Sequence, residues 1–410
     1  MTPDSIFWQW VEQNKNIDPS RLRLKYGSKS EPVDTSLAIL QIECRRRFGK
    51  KLAETLAVDP EFLFPTLLSG EQSTSDRLAA YHKTLLREGD SIIDLTSGLG
   101  IDFFHCATGC NRAVAVERDK VVTEALQYNA AHLLGADTAF ELVCGDCRDF
   151  VAGYIGEPFD NAFIDPARRA ADGGRIFDPT DCSPDVTAML PELKRICRRL
   201  IVKLSPMLDI TRTLAMLPGC SRLIALGNTK ECKELIAVID SDSAQDITPE
   251  VSSVTLTPDG REVSFTFTAE AERDCESTAC ADPRAGDLLF EPWPSMMKAG
   301  AFRLLARDFG LKRFHPNTQL FHASAAEAKN VSEFPGDVFT IEEVLPYSSA
   351  VIKRFARRWS AISVTARNFG QSAESLRSRL GVKENSALRL FALTATGDRR
   401  LLIVAKPMKK

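Results

Sequence analysis

Four acidic side chains stand where they could hold and use a charged ligand. Asp94 ends the apolar start of SIIDLTSGLGIDFF at 91–104; Gly98 and Gly100 follow, and a helix is expected to begin near Ile101. Glycines let a ligand approach the backbone closely, and the exposed amides of a helix start can hydrogen-bond a carboxylate or phosphate. A dinucleotide-binding turn uses two or three glycines in the same way, so the turn alone does not choose its ligand. Asp94 helps to choose: four residues before Gly98 it would meet a pyrophosphate with like charge, whereas it suits a ligand carrying an ammonium group.

Glu117 ends the next apolar run, 23 residues after Asp94, and an ionised carboxylate there can accept both hydroxyls of a ribose. Asp146 ends a third run, where it can accept an adenine amino group. S-adenosylmethionine combines these features: an ammonium, a carboxylate, a ribose and an adenine. The competing reading is that acids at strand ends cap the helices that follow. The fourth acid, Asp165, opens Asp165-Pro166-Ala167-Arg168 at the end of a further apolar run, with Arg169 next to it.

Positioning these acids requires short strands with helices between them. SIIDLT at 91–96, AVAVE at 113–117, ELVCGD at 141–146, FDNAFID at 159–165 and LIVKLS at 200–205 are apolar on both faces, and the intervals between them accommodate helices. That pattern predicts an α/β fold with a parallel, doubly wound sheet, and it puts the acids at the carboxyl ends of neighbouring strands, where such sheets bind ligands. RLIALG at 222–227 and CKELIAVI at 232–239 are too close for a helical crossover and are expected to form an antiparallel hairpin at the sheet edge.

Residues 1–88 read as helical. Leu37, Leu40, Cys44 and Phe48 recur at helical spacing, and Leu78, Tyr81 and Leu85 follow the capping cluster at 73–76. The run Arg45, Arg46, Arg47 with Lys50 and Lys51 reads as a solvated face. Segments 240–250 and 269–286 read as linkers, with a β-hairpin between them around Pro258-Asp259-Gly260. Met296 and Met297 read as core. The stretch 337–410 combines strands, two basic helices and a closing hairpin around Thr396-Gly397-Asp398.

The motifs DLTSGLG at 94–100, AVE at 115–117, CGDC at 144–147 and NAFIDPAR at 161–168 resemble the consecutive motifs of Rossmann-like class I S-adenosylmethionine-dependent methyltransferases. Thr96 stands at the family's usual first glycine, as it does in a 16S rRNA guanine-N2 methyltransferase family with a similar first motif. The later stretch, with GDLLFEPWPSMMKAGAFRLLARDFGLKRFHPNTQLFHAS at 286–324 and the basic end, resembles bacterial methyltransferases with a ferredoxin-like domain and a C-terminal THUMP-like domain, a module associated with RNA modification. The resemblance implies an N-terminal helical domain at 1–88, a methyltransferase domain at 89–245, a ferredoxin-like domain at 246–336 and a THUMP-like, RNA-binding domain at 337–410. It implies cofactor contacts from Asp94, Thr96, Gly98 and Gly100, from Asp102 and Phe103 at the helix start, from Glu117 and Arg118, from Asp146 and Cys147, and from Asp165.

In amino methyltransferases the Asp165 place resembles Asp/Asn-Pro-Pro followed by an aromatic. An exocyclic base amine is a poor nucleophile because its lone pair is delocalised into the ring. A carboxylate and a carbonyl accepting its two N–H bonds favour the pyramidal, localised form as positive charge develops. Asp165 and the Pro166 carbonyl could do this, with Arg168 replacing the aromatic that would stack on the base. Ala167 replaces the second proline. Methylation at pyrimidine carbon 5 needs a thiolate nucleophile, and the corresponding places, DPARR and KLSP, have none. Lys203 within KLSP reads as a structural lysine rather than a substrate-facing one.

The 410 residues carry a formal charge of −3, which conceals an asymmetry. From Lys353 to Lys410 there are 14 Lys/Arg and 3 Asp/Glu, a net of +11, which leaves −14 on the first 352 residues. A basic module on an acidic body suits a polyanion partner. Arg354, Arg357, Arg358, Arg367, Arg377 and Arg379 are the expected RNA contacts, with Trp359 or Phe369 as stacking partners. Eleven dispersed cysteines indicate reduced thiols, and Cys106 with Cys110 or Cys144 with Cys147 lacks a second ligand pair for zinc. The start lacks the order of a secretory signal and no apolar run is long enough for a membrane span, so a cytoplasmic protein is expected. Two alternatives stay open: a methyltransferase acting on protein or a small molecule, and a non-catalytic RNA-binding assembly factor that keeps the fold.

Overall fold

Aspartate caps open the first helices. Asp4 accepts from the Phe7 amide ahead of α1 (Ser5–Asn14), Asp18 from Ser20 ahead of α2 (Pro19–Tyr26), and Asp34 from Leu37 ahead of α3 (Thr35–Phe48). Three short helices follow, α4 (Ala53–Val58), α5 (Leu67–Gln72) and α6 (Asp76–Lys83). The computed structural model describes residues 3–27, 33–134, 139–168, 182–242, 247–385 and 387–408. Its chain divides into two units, Met1–Ser221 with Ile236–Ile247, and Arg222–Leu235 with Thr248–Lys410.

After the helices the first unit alternates strand and helix: β1 (Ser91–Asp94), α7 (Ile101–Ala107), β2 (Arg112–Glu117), α8 (Lys120–Leu133), β3 (Phe140–Cys144), α9 (Cys147–Gly153) and β4 (Phe159–Ile164). A short antiparallel pair follows, β5 (Ala167–Arg168) with β6 (Cys182–Ser183), then α10 (Val186–Ile196), β7 (Cys197–Leu204) and α11 (Ile210–Met216). The strands pair in parallel in the order β7-β4-β1-β2-β3. The interior positions of β1, β2, β4 and β7 are buried on both faces, which explains their near-continuous apolar runs, whereas β3 at the edge has exposed Glu141 and Cys144 and no fully buried residue. The order reverses between β1 and β4, so the carboxyl ends of these two strands form the topological switch point. The N-terminal helices share this core: Cys44, Phe62, Phe64 and Ala79 pack in one cluster with Ile92, Phe103, Phe104 and Ala113.

β8 (Cys220–Asn228) and β9 (Cys232–Asp240) form the expected hairpin, closed by the Asn228 amide donating to the Glu231 carbonyl at 3.0 Å. It does not lie at the edge. β10 (Glu250–Leu256) pairs in parallel with β8, and β11 (Glu262–Thr268) pairs antiparallel with β10. The reason is burial: Val251, Val254 and the side chains of Ser252, Ser253 and Thr255 are all inaccessible, so this hairpin covers the edge of β8 instead of joining the strands that follow.

The second unit continues with α12 (Ala269–Asp274), β12 (Leu288–Pro292), α13 (Pro294–Ala299), α14 (Phe302–Phe309), β13 (Lys312–His315), β14 (Thr318–Ala323), β15 (Gly336–Pro346), α15 (Ser349–Arg358), β16 (Ser363–Arg367), α16 (Ala373–Leu380), β17 (Arg389–Ala395) and β18 (Arg399–Pro407). One sheet takes all seven of these strands in the order β13-β14-β12-β15-β18-β17-β16. Only β16 and β17 pair in parallel; β17 and β18 are the closing hairpin read from the sequence. Met296 is fully buried in the core of this unit, as expected, whereas Met297 is only half-buried.

Candidate active site

β1 delivers Asp94 into the sheet's carboxyl edge with its side chain 2 % exposed, and Oδ1 accepts the Thr96 amide at 3.0 Å. The turn is tied down on both sides: the Ser97 hydroxyl donates to the Asp94 carbonyl at 3.1 Å and the Ser97 amide to the Val116 carbonyl at 3.1 Å. Glu117, from the end of β2, reaches the same turn. Its Oε2 accepts the Gly98 amide at 3.0 Å and its Oε1 the Asp119 amide at 2.8 Å. Gly98 and Gly100 have φ of 53° and 90°. Gly100 has a second constraint, since a Cβ would fall 2.3 Å from Leu126 and 2.8 Å from Phe104, so it serves the packing of α7.

Asp94 and Glu117 therefore converge on one glycine turn, whereas Asp146 is engaged by the start of α9. Asp146 caps α9 by accepting the Arg148 amide at 2.8 Å and pairs with the Arg148 guanidinium at 2.9 and 2.6 Å. The hydrogen bonds from Arg148 pull its carboxyl down to about 2. For this acid the capping alternative describes the geometry found.

The end of β4 is joined to the turn and to a buried charge network. The Thr96 hydroxyl accepts the Asp165 amide at 2.7 Å. Lys203, on β7, donates to Asp165 Oδ2 at 2.7 Å and to Thr74 Oγ1 at 2.7 Å, and lies 3.7 Å from Asp102 Oδ2. Asp102 also accepts from Thr74 at 2.5 Å, and its Oδ1 lies 2.7 Å from Nδ1 of the fully buried His82, whose ring sits against Phe163. Burial alone would raise the Asp102 pKa, but the Lys203 and His82 charges and the bonds from His82 and Thr74 hold it well below the usual carboxylate range. Asp94 has the opposite balance. Burial pushes it up to about 8, with Asp102 and Asp165 adding to the rise against the Thr96 amide and Lys203.

Two expected cofactor contacts are corrected by these positions. Phe103 is wholly inside the core, its ring tilted against Phe104, because α7 turns it toward the cluster it shares with Phe62 and Phe64. Asp102 is turned from the glycine turn into the network with Thr74, His82 and Lys203. Cys147 is buried, which raises its thiol to about 11. Arg118 is exposed, and Pro166 is buried directly after Asp165. The backbone of Arg168 lies in β5, but its side chain and all of Arg169 are outside the described residues. Thr74 and His82 were missed as site neighbours and Lys203 was read only as structural, since nothing in the spacing links positions 74, 82 and 203 to the acids.

The basic residues divide into used and unused. Arg358 pairs with Glu343 at 2.8 Å and stacks 4.5 Å from the Trp359 ring. Arg367 pairs with Glu291 at 3.2 Å, Arg377 with Glu384 at 2.8 Å, and Arg379 donates to the Tyr347 hydroxyl at 2.8 Å. Arg354 and Arg357 are exposed and make no ion pair among the described residues. Arg354 borders a groove of about 270 Å³ whose floor includes Leu345, Val351, Phe355 and Trp359. Phe369 is corrected as a stacking partner: it is buried edge-on to Tyr347. Arg45, expected on a solvated face, instead donates to the carbonyls of Pro60 and Phe62 and stacks on Trp8. Among the described residues no helix is long and apolar enough to cross a membrane, and no group of three His, Cys, Asp or Glu is placed to hold a metal.

Comparison with known proteins agrees with this architecture. Residues 288–335 match a ferredoxin-like domain and residues 336–407 a THUMP domain-like model. No curated relative matches the sequence. A crystal structure of a candidate methyltransferase from Porphyromonas gingivalis W83 superposes over 100% of both chains with a TM-score of 0.89 at 28% identity. A candidate class I S-adenosylmethionine-dependent methyltransferase from Listeria monocytogenes is similar over 59% of this chain and 88% of its own, at 14% identity and a TM-score of 0.36. The chain thus has a Rossmann-like α/β fold of the class I methyltransferase type, followed by ferredoxin-like and THUMP-like domains that share one sheet.

Proposed function

We propose that this chain is an S-adenosylmethionine-dependent methyltransferase that acts on an exocyclic base nitrogen of structured RNA. The observation that carries the reading is the convergence of Asp94 and Glu117 on a glycine turn at the switch point, with Asp165 tied to that turn by Thr96. The full-length likeness to the Porphyromonas protein supports methyl transfer, and the THUMP domain-like match supports RNA.

The donor set fits the cofactor. Asp94 is a buried carboxylate that a ligand ammonium would compensate, and Glu117 faces the turn where a ribose would lie. Thr96, Gly98 and Arg118 complete the proposed rim. Asp146 would take the adenine amino group, since its solvent-facing pair with Arg148 is readily exchanged. When bound, S-adenosylmethionine supplies an electrophilic methyl on a sulfonium. Asp165 and the Pro166 carbonyl would accept the two N–H bonds of the amine, holding its lone pair in line.

The proposed division of labour keeps 1–88 as support, 89–245 as the catalytic domain, 246–336 as the ferredoxin-like domain and 337–410 as the RNA-binding domain, in a cytoplasmic protein. Arg354 and Arg357 are its first phosphate contacts. Incubating the full chain with labelled S-adenosylmethionine and total RNA or total protein tests the reading: label in RNA supports it. Label only in protein favours a second reading, for which the internal ion pairs of Arg358, Arg367 and Arg377 speak, because they reduce the charge left for phosphates.

A further inference from the structure

We infer that Lys203 is a positioning residue for methyl transfer: anchored by Thr74 and Asp102, its ammonium orients the Asp165 carboxylate that meets the nucleophile. The inference rests on the methyl-transfer reading above and extends it to a residue that does not touch the substrate.

Three elements converge on the ammonium. Thr74 comes from the segment before α6, Asp102 from α7 and Asp165 from the end of β4, while Lys203 itself stands on β7. Two hydrogen bonds at 2.7 Å, to Thr74 Oγ1 and Asp165 Oδ2, and the Asp102 carboxylate 3.7 Å away come from three elements and constrain the ammonium more than a single ion pair would. The exposures are unequal. The Lys203 side chain is 13 % exposed and Asp165 39 %. The cation is therefore the more buried partner and the carboxylate the more exposed one.

The surrounding charges explain why an anchor is needed. Asp94 from β1, Asp102 from α7 and Asp165 after β4 are three acids within mutual electrostatic reach, with Lys203 and the His82 ring as the facing basic groups. Acids crowded together tend to share protons, and a fixed cation beside Asp165 favours its ionised form. A charged lysine has no acceptor, so Lys203 acts on orientation and charge and takes no proton from the amine.

The test uses full-length protein carrying Lys203→Met, Lys203→Arg and Thr74→Val, with three readouts: affinity for S-adenosylmethionine, transfer to total RNA against pH, and the titration of the Asp165 carboxylate by carbon-13 NMR. Lys203→Met is expected to lower transfer about thirtyfold with cofactor affinity kept within about threefold. The Asp165 midpoint should rise by about one to two pH units, moving the acid limb of the rate profile with it. Lys203→Arg should restore the midpoint and most of the rate. Thr74→Val leaves no charge unpaired, so it serves if Lys203→Met does not fold, and should give a smaller loss with a smaller upward midpoint shift. An unmoved Asp165 midpoint in Lys203→Met, or in Thr74→Val where only that variant folds, overturns the inference, as does equal loss of cofactor affinity and transfer. If the unsubstituted protein methylates no RNA, the substrate reading fails, and the carboxylate titration still decides the role of Lys203.

Discussion

The hydroxyl of Thr96 accepts the backbone amide of Asp165 at 2.7 Å, tying the glycine turn after β1 to the end of β4. Where the resembling family has a glycine, this chain has a side chain with a task. The bond crosses the switch point and sets the distance between the proposed cofactor turn and the proposed catalytic acid.

Thr96→Val keeps the shape and removes the acceptor, leaving the Asp165 amide without it. It should lower stability by about 1–2 kcal/mol and transfer by about tenfold, while Thr96→Ser stays near the parent. Thermal melts and labelled-methyl transfer check both. A valine variant with the parent rate would mean that the turn does not need this tie.

Asp94 makes cofactor binding depend on pH. Its carboxyl titrates at about 8 in the folded chain, so at pH 7 it is mostly protonated, and an incoming ammonium favours the ionised form. Binding at pH 7 should release about one proton from this group, and affinity should fall toward tenfold per pH unit below 8. Above about pH 8 the amino group of the cofactor begins to lose its own charge, so affinity peaks near there. Calorimetry in buffers of different ionisation heat measures the proton count; a count of zero at pH 7 would remove Asp94 from ammonium recognition.

The same residue makes the opposite prediction for stability. Because the folded pKa lies above the unfolded value of about 3.9, the folded chain favours protonated Asp94. The penalty for ionising it grows as pH rises from about 4 to about 8 and is constant above. Asp94→Asn should therefore stabilise the cofactor-free protein above pH 8, on the order of a few kcal/mol, and gain almost nothing near pH 4. It should also weaken cofactor binding. Melting temperatures at pH 5 and pH 8.5 show whether the two effects separate.

Asp165→Ala should abolish transfer and leave cofactor affinity within about tenfold, because Asp165 is proposed to act on the nucleophile. Parallel loss of binding would place this acid among the cofactor contacts instead. Lys203 loses a partner in this variant, so Asp165→Asn, which keeps the volume, is the companion measurement.

Much of the catalytic fold was legible because its signals are local. Apolar runs of strand length, separated by intervals long enough for helices, dictate a parallel sheet, and Asp94 and Glu117 follow from standing at the ends of two such runs. What was not legible depended on distant pairings. Asp146 has the same sequence setting as Glu117, yet Arg148 two residues on offers it a closer partner. Arg45 looks like its neighbours, yet its place one turn above Gln41 directs it at the Pro60 and Phe62 carbonyls. The hairpin β10–β11 reads equally well beside β8 or beside β12, and no local residue decides between them.

The boundary near residue 336 also changes how RNA binding should be tested. β12, in the ferredoxin-like match, pairs with β15, in the THUMP-like match, from Leu288 with Thr340 to Pro292 with Gly336. Deleting 337–410 would strip β12 of this neighbour and open the core, so point substitutions are the cleaner probe. Arg354 and Arg357 are exposed on α15 without internal partners among the described residues, whereas Arg377 is paired with Glu384. Arg354→Ala with Arg357→Ala should weaken RNA binding and reduce the slope of log affinity against log salt by about 1.5, the loss of two phosphate contacts. Arg377→Ala should change the slope by less, because its charge is already balanced by Glu384 and it contributes less to releasing counterions from the RNA. Cofactor affinity should be unchanged in every variant. Filter binding across a salt series reads the slopes, and an unchanged slope in the double variant would move the RNA contact away from this helix.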